Sequence, residues 1–323
     1  MDAYEVTEKY FTTKEGLKDT LERYGVAVIP SVIDEKKRES IYNEMWSFIE
    51  NLTSKWDLPV TRGNKDSWRE FFKLCPLHSM LLQHFGIGQA QFAWNARQDE
   101  RIIDIFATLW ECSQKDLLVS FDGSSLHLPP ETTNRGWHRK TWFHSDQSYT
   151  KHKFECVQSF LSLLDIEQGD GTLAVLEGSH KLHGKVQRKF NLNDKTDWHK
   201  LNDEQVDYYK TLGCTERRIT CPKGSLVFWD SRTIHCGVEP VKERPRPNTR
   251  AVVYLCYKPR PRPIDTKAMT KKRKAFEDGR TTSHWPEKAK LFGKTPRTYG
   301  AKIPPITPTE PPKLTPIGKR LAG

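Results

Sequence analysis

Trp142-Phe-His-Ser-Asp-Gln-Ser-Tyr149 sets His144 and Asp146 two residues apart between bulky aromatics. Read as a strand, the stretch sends both side chains out of one face. An imidazole and a carboxylate side by side on a rigid strand supply two ligands of a metal site, and the third then comes from a distant segment brought alongside by the fold. His235 is the best candidate. It stands in Leu226-Val-Phe-Trp-Asp-Ser-Arg-Thr-Ile-His-Cys-Gly237, where an apolar strand-like run meets a polar turn and a histidine precedes a glycine. Two histidines and one carboxylate on one side of a metal, with other positions open, form the ligand set of non-haem Fe(II) oxygenases.

A bare His-x-Asp is a short pattern, and what gives it weight is the order of features after it. Gly178-Ser179-His180 follows an apolar strand, Lys223-Gly224 precedes another, and His235 and then Arg250 come after. In these landmarks the sequence resembles the phytanoyl-CoA dioxygenase-like family of Fe(II)/2-oxoglutarate-dependent oxygenases, from about Leu17 to Tyr257. The resemblance implies a mainly β fold with flanking helices, a double-stranded β-helix or jelly-roll barrel of the cupin-like kind. The strand pattern is compatible with that architecture and does not by itself select it. Two regions are expected: residues 1–260 as the oxygenase domain with N-terminal helices, and residues 261–323 as a basic, proline-rich extension.

The resemblance also implies the chemistry. Fe(II) is held by His144, Asp146 and His235, 2-oxoglutarate is the co-substrate, and O2 is consumed as an unactivated C–H bond is hydroxylated with release of succinate and CO2. Arg250 opens the apolar run Arg250-Ala-Val-Val-Tyr-Leu-Cys-Tyr257, and its guanidinium suits the far carboxylate of 2-oxoglutarate through two parallel hydrogen bonds. Arg232, Arg244 and Arg246 compete for this role, but a strand start is a firmer mount than the proline-broken loop of Arg244 and Arg246. Relatives often carry serine or threonine two positions on, where this chain has Val252. Within Val157-Gln-Ser-Phe-Leu-Ser-Leu-Leu164 the residues alternate between two faces, one of them interior, and the resemblance implies that an interior residue of this strand helps hold the co-substrate, which makes Gln158 and Phe160 candidates. His180 sits in the family's Gly-Ser-His turn and is read as structural. His138 and His152 lack a carboxylate two residues away and are read as loop histidines. The competing classes are a jelly-roll binding protein without catalysis and a cupin-like enzyme using another metal without 2-oxoglutarate; an intact triad and Arg250 argue against them.

Composition narrows the setting. Mean hydropathy is -0.72 with 36% hydrophobic residues, and no apolar run approaches the roughly 18 residues of a membrane span. The N-terminus carries no basic-then-apolar signal, and seven cysteines without a C-x-x-C pair do not read as a disulfide framework. An intracellular, reducing setting is expected, cytoplasmic or nuclear. Residues 53–120 are dense in aromatics, which at helical spacing are core more often than pocket. The segment between Lys181 and Thr220 interrupts the strand pattern and reads as either a lid or a surface decoration.

Charge is uneven along the chain. Of a net +11, residues 241–323 carry 21 Lys and Arg against 6 Asp and Glu, while the preceding residues, with 31 against 35, are slightly acidic. The tail cannot build a core of its own. Two expectations follow: it wraps over the barrel through Trp285, Leu291, Phe292 and Tyr299, or it contacts a polyanion such as nucleic acid.

Overall fold

The computed structural model describes residues 7–76, 80–298, 300 and 302–323. Its strands run along the chain as β1 (Val26–Ile29), β2 (Leu81–Leu82), β3 (Leu117–Val119), β4 (Ser124–His127), β5 (His144–Ser145), β6 (Val157–Ser162), β7 (Thr172–Glu177), β8 (His199–Lys200), β9 (Thr215–Arg218), β10 (Leu226–Asp230), β11 (His235–Val238), β12 (Arg250–Leu255) and β13 (Tyr257–Pro259). The helices are α1 (Leu17–Tyr24), α2 (Glu35–Leu52), α3 (Gln91–Arg97), α4 (Glu100–Leu109), α5 (Pro130–Thr133), α6 (His183–Phe190), α7 (Asp203–Thr211), α8 (Thr266–Glu277) and α9 (Pro316–Ala322). A six-stranded sheet ordered β1-β10-β6-β12-β4-β2 and a five-stranded sheet ordered β8-β5-β11-β7-β9 form a jelly roll, and β13 pairs with β3 beside it. The two sheets do not close into one continuous barrel.

Period-two alternation sorts each strand's residues between two cores. On β6, β10 and β12 the outward set Val157, Leu161, Leu226, Phe228, Ala251, Val253 and Leu255 packs on Leu17, Ile41, Met45, Ile49 and Phe106 of the helices. The inward set Phe160, Val227, Trp229 and Val252 meets Leu173 and Val175 of the second sheet. The aromatics of residues 53–120 belong to the helical layer, where Trp68, Phe71, Phe92, Trp94 and Phe106 are buried. Local capping fixes the helices: Asp34 accepts from the Lys37 N–H at 2.8 Å to start α2, and Asn202 with Gln205 forms a capping box on α7.

The strand around His144 is shorter than its sequence suggests. Only His144 and Ser145 are extended, because Ser145 Oγ donates to Gln147 O at 2.8 Å and Ser148 and Thr150 hydroxyls bond each other at 2.8 Å. Short polar side chains bonding nearby backbone outcompete the ladder here. Asp146 therefore lies just beyond the strand end, held by its N–H to Ser231 O at 3.1 Å.

The basic C-terminal segment lies on the body. Along residues 303–315 the chain is extended, with Trp56 Nε1 donating to Pro305 O at 2.9 Å and the Thr307 N–H to Leu52 O at 3.1 Å. Thr315 then caps α9, with Pro316 in its first turn and Leu321 fully buried. On α8, Met269, Lys272 and Ala275 face inward. Leu291 is exposed, Phe292 half-buried and Trp285 buried; Tyr299 lies outside the described residues.

Lys272 supplies a pH dependence. Its ammonium is 1% exposed, donates to Val119 O at 2.5 Å and sits 3.9 Å from the Phe121 ring. Burial, and secondly the nearby Arg97 charge, push it down to about 7. The unfolded chain holds that proton up to about pH 10.4. Between these values the unfolded state binds more protons, so stability should rise with pH above about 7, by at most about 1.4 kcal/mol per pH unit from this group. Thermal unfolding at pH 7 and 9 checks this: Lys272→Met should lose that share of the rise, and an unchanged pH profile would contradict it.

Candidate active site

The two sheets converge on His144, Asp146 and His235. His144 of β5 and His235 of β11 are register partners across adjacent antiparallel strands, which brings their ring centroids to 4.3 Å. Asp146 Oδ2 lies 3.7 Å from His144 Nε2 and 3.3 Å from His235 Nε2. One ligand atom from each residue falls within 4.8 Å of the others, and all three residues are buried.

Neighbouring groups orient each ligand, as outer partners of metal ligands do. His235 Nδ1 donates to Thr233 O at 2.8 Å, leaving Nε2 as the acceptor nitrogen, and the Trp229 indole N–H points at that nitrogen from 3.2 Å. Gln158 Nε2 donates to Asp146 Oδ2 at 3.0 Å. Trp142 stacks on His144 with centroids 4.7 Å apart and planes 11° apart. Burial pushes the Asp146 carboxyl up, but the imidazoles of His284, His144 and His235 outweigh it and hold it well below the ordinary carboxylate range. Burial, followed by the His144 charge, lowers the His235 imidazole, so that ring stays neutral. An ionised carboxylate facing the Nε2 atoms of both histidines fits a divalent iron, because ligands must be deprotonated to bind.

The arginines separate by their partners. Arg232 is held by Asp230 and His152 O, Arg244 by Glu131 and Asp170, and Arg246 is exposed beside Glu167. Arg250 is 4% exposed and lies 5.2 Å from the Phe160 ring. Its Nη1 donates to Ser125 Oγ at 2.6 Å, and its Nε has no partner among the described residues. No carboxylate pairs with it among the described residues. A buried cation without a counter-ion is costly, and a bound carboxylate removes the cost. Ser125 is the register partner of Val252 on β4, so the neighbouring strand supplies a hydroxyl beside Val252, on the same sheet face as Arg250.

Arg250, Gln158 and Phe160 line the same cavity as the triad, about 1120 Å³ in volume. Gln158 touches Asp146, and Phe160 lies under the guanidinium. His180 Nε2 bonds Glu22 O at 2.9 Å, and His138 lies beside Arg218 and Glu239, so neither joins the triad. Thr196, Asp197, Trp198 and Lys200 of the insertion form part of the cavity wall, with β8 pairing to β5. Ser125 and His284 join the site without a signal of their own in the sequence, whereas Trp285, expected only as an anchor of the tail on the barrel, also lines the cavity.

No helix among the described residues is long and apolar enough to cross a membrane. Comparison with known proteins places these features in context. The sequence profile of the phytanoyl-CoA dioxygenase family (PhyH) matches residues 21–240. Ava biosynthesis cluster protein O of Aspergillus versicolor is 27% identical over 309 residues, covering 88% of this chain and 92% of that protein. Among solved structures, a putative oxidoreductase from Salmonella typhimurium LT2 shares the fold at a TM-score of 0.59 and 14% identity, over 95% of this chain and 82% of that one. GlcNAc Inducible Gene 2 from Candida albicans does so at 0.54 and 15%, over 81% and 67%.

Proposed function

From the premise that the chain belongs to the phytanoyl-CoA dioxygenase family of Fe(II)/2-oxoglutarate-dependent oxygenases, we propose that it hydroxylates an unactivated C–H bond of a small organic molecule. For each substrate hydroxylated, one O2 and one 2-oxoglutarate are consumed, and one succinate and one CO2 are released. The observation that carries this reading is the pairing of a His-Asp-His triad with a buried arginine lacking a carboxylate in one cavity. An inactive binding protein would have no need to retain both. A small-molecule substrate is supported by the concave, half-open cavity beside the triad and by the relative whose name assigns it to a biosynthesis cluster.

Iron, when bound, supplies dioxygen activation coupled to decarboxylation of 2-oxoglutarate. The chain's own residues do the rest. His144, Asp146 and His235 hold the metal, while Thr233 and Gln158 fix two of those ligands in orientation. Arg250, steadied by Ser125, anchors the distal carboxylate of the co-substrate. Aromatic walls exclude water and leave the substrate carbon as the group to be oxidised. The test is incubation with candidate substrate pools: succinate formation matched by a product one oxygen atom heavier supports hydroxylation, and succinate with a product of another mass change contradicts it.

For the tail we propose a narrower polyanion contact than its charge suggests, since Lys258, Lys272 and Lys288 are engaged by Glu287, Val119 O and Asp197. Lys267 and Lys271 remain exposed on α8, and Lys274, also exposed, pairs with Asp278 at its end. Reversing these three to glutamate should abolish salt-dependent nucleic-acid binding; undiminished binding would contradict the contact.

A further inference from the structure

Residues 281–292, outside the span matched by the family profile, form a strap across the active site. Thr282 pairs with Leu291 in an isolated antiparallel bridge, and the Ser283 N–H donates to Lys290 O at 2.8 Å. The strap docks on the jelly roll where the Thr282 N–H reaches Phe121 O at 2.8 Å and the Gly88 N–H reaches Thr281 Oγ1 at 3.0 Å. Its outer side meets the insertion: Lys288 Nζ lies 2.5 Å from Asp197 Oδ2, and Lys151 shares that carboxylate at 2.7 Å. Strap and insertion thus frame the cavity from two separate segments of the chain.

The strap places an imidazole against the metal ligands. His284 Nδ1 is 3.8 Å from Asp146 Oδ2, and its Nε2 is buried with no hydrogen-bond partner in a residue that lines the cavity. Trp285, 3% exposed, also lines the cavity and has an unpartnered indole N–H. Its ring is fixed by Lys288 Nζ at 3.7 Å and Lys258 Nζ at 4.5 Å. Buried polar atoms without partners are uncommon, and a substrate oxygen would satisfy them. The wall is rich in aromatics set among charged residues: five of the chain's ten tryptophans line this cavity, including Trp137, Trp142 and Trp229. Trp198 is 47% exposed, with its ring 6.2 Å from His144. Large exposed aromatics at a cavity edge mark a binding surface, and offset stacking is what such rings offer.

We propose that the strap and the facing insertion form the substrate-recognition element, selecting a flat aromatic molecule whose ring system lies against Trp198 and one of whose oxygens bonds His284 beside the metal ligands. This rests on the oxygenase reading. A saturated chain, even one whose oxygen reaches His284, would gain no stacking from the tryptophan rings.

The experiment uses the full chain loaded anaerobically with Fe(II) and 2-oxoglutarate. Its visible charge-transfer band is recorded before calorimetric titration with 1,8-dihydroxyanthraquinone as an oxygen-bearing flat probe and dodecanoic acid as a flexible one. The anthraquinone should bind at least about tenfold more tightly than the acid; Trp198→Ala should weaken it about tenfold with the band unchanged, and His284→Ala should weaken it about tenfold as well. His284→Gln, which keeps a hydrogen-bonding group, should retain most of the affinity and guards against a folding defect in the alanine variant. With the band intact, equal binding of the two probes, or unaltered anthraquinone binding in Trp198→Ala and His284→Ala, overturns the inference. Absence of the band in the unaltered protein overturns the oxygenase reading instead.

Discussion

Asp146→Ala is expected to abolish succinate formation and to lower iron affinity by more than about 100-fold, since altering even an outer partner of a metal ligand typically costs about 10–100-fold. The reason is geometric. Both histidine Nε2 atoms face the Asp146 carboxylate, and no other carboxylate belongs to this cluster among the described residues. The substitution should leave the fold intact, because position 146 is held through its backbone N–H to Ser231 O. Metal titration beside far-UV circular dichroism checks both halves of the expectation. Full activity in a folded Asp146→Ala protein would remove it from the metal site.

Arg250→Ala is expected to weaken 2-oxoglutarate binding by about 100-fold or more while leaving iron affinity nearly unchanged, the cost of losing a two-point charge-assisted pair. Arg246→Ala should do nothing comparable, because that side chain is exposed and pairs with Glu167. Arg244→Ala should lower stability rather than co-substrate affinity, since it leaves Glu131 and the buried Asp170 without their guanidinium. Calorimetric titration of 2-oxoglutarate into the three variants separates these roles. A loss confined to Arg246→Ala would show that the wrong arginine had been assigned.

How far the site could be read in advance depended on the distance over which each signal acts. The ligands were legible because the short His144-x-Asp146 pattern and His235 fall in one order with Gly178-Ser179-His180, Lys223-Gly224 and Arg250, the order that carries the family resemblance. Alternation along β6 likewise separated Gln158 and Phe160 from Val157 and Leu161 without knowledge of the sheet. The partner of Arg250 was not legible. A hydroxyl two positions downstream is a local signature, and Val252 lacks it, whereas Ser125 reaches the guanidinium only after β4 pairs with β12. The short β5 was lost for a different reason: serine side chains compete for the backbone, which a two-residue periodicity ignores.

The tail shows the limit of composition. Its charge and prolines describe what it cannot do alone, but Lys272 of α8 reaches Val119 O and His284 lies beside Asp146 only because the sheets are already assembled beneath them. Thr315 and Pro316, a cap and a first-turn proline, start α9 in a segment whose proline-rich composition suggested no helix.

The most direct test of this account is anaerobic addition of one equivalent of Fe(II) and excess 2-oxoglutarate to the purified protein, followed by visible absorption. The chelate of 2-oxoglutarate on iron held by two histidines and a carboxylate gives a charge-transfer band. The account predicts that the band saturates at one iron per chain, is absent in Asp146→Ala and requires far more 2-oxoglutarate in Arg250→Ala. A protein that binds iron with full affinity in Asp146→Ala, or that shows no 2-oxoglutarate-dependent band at all, would contradict it.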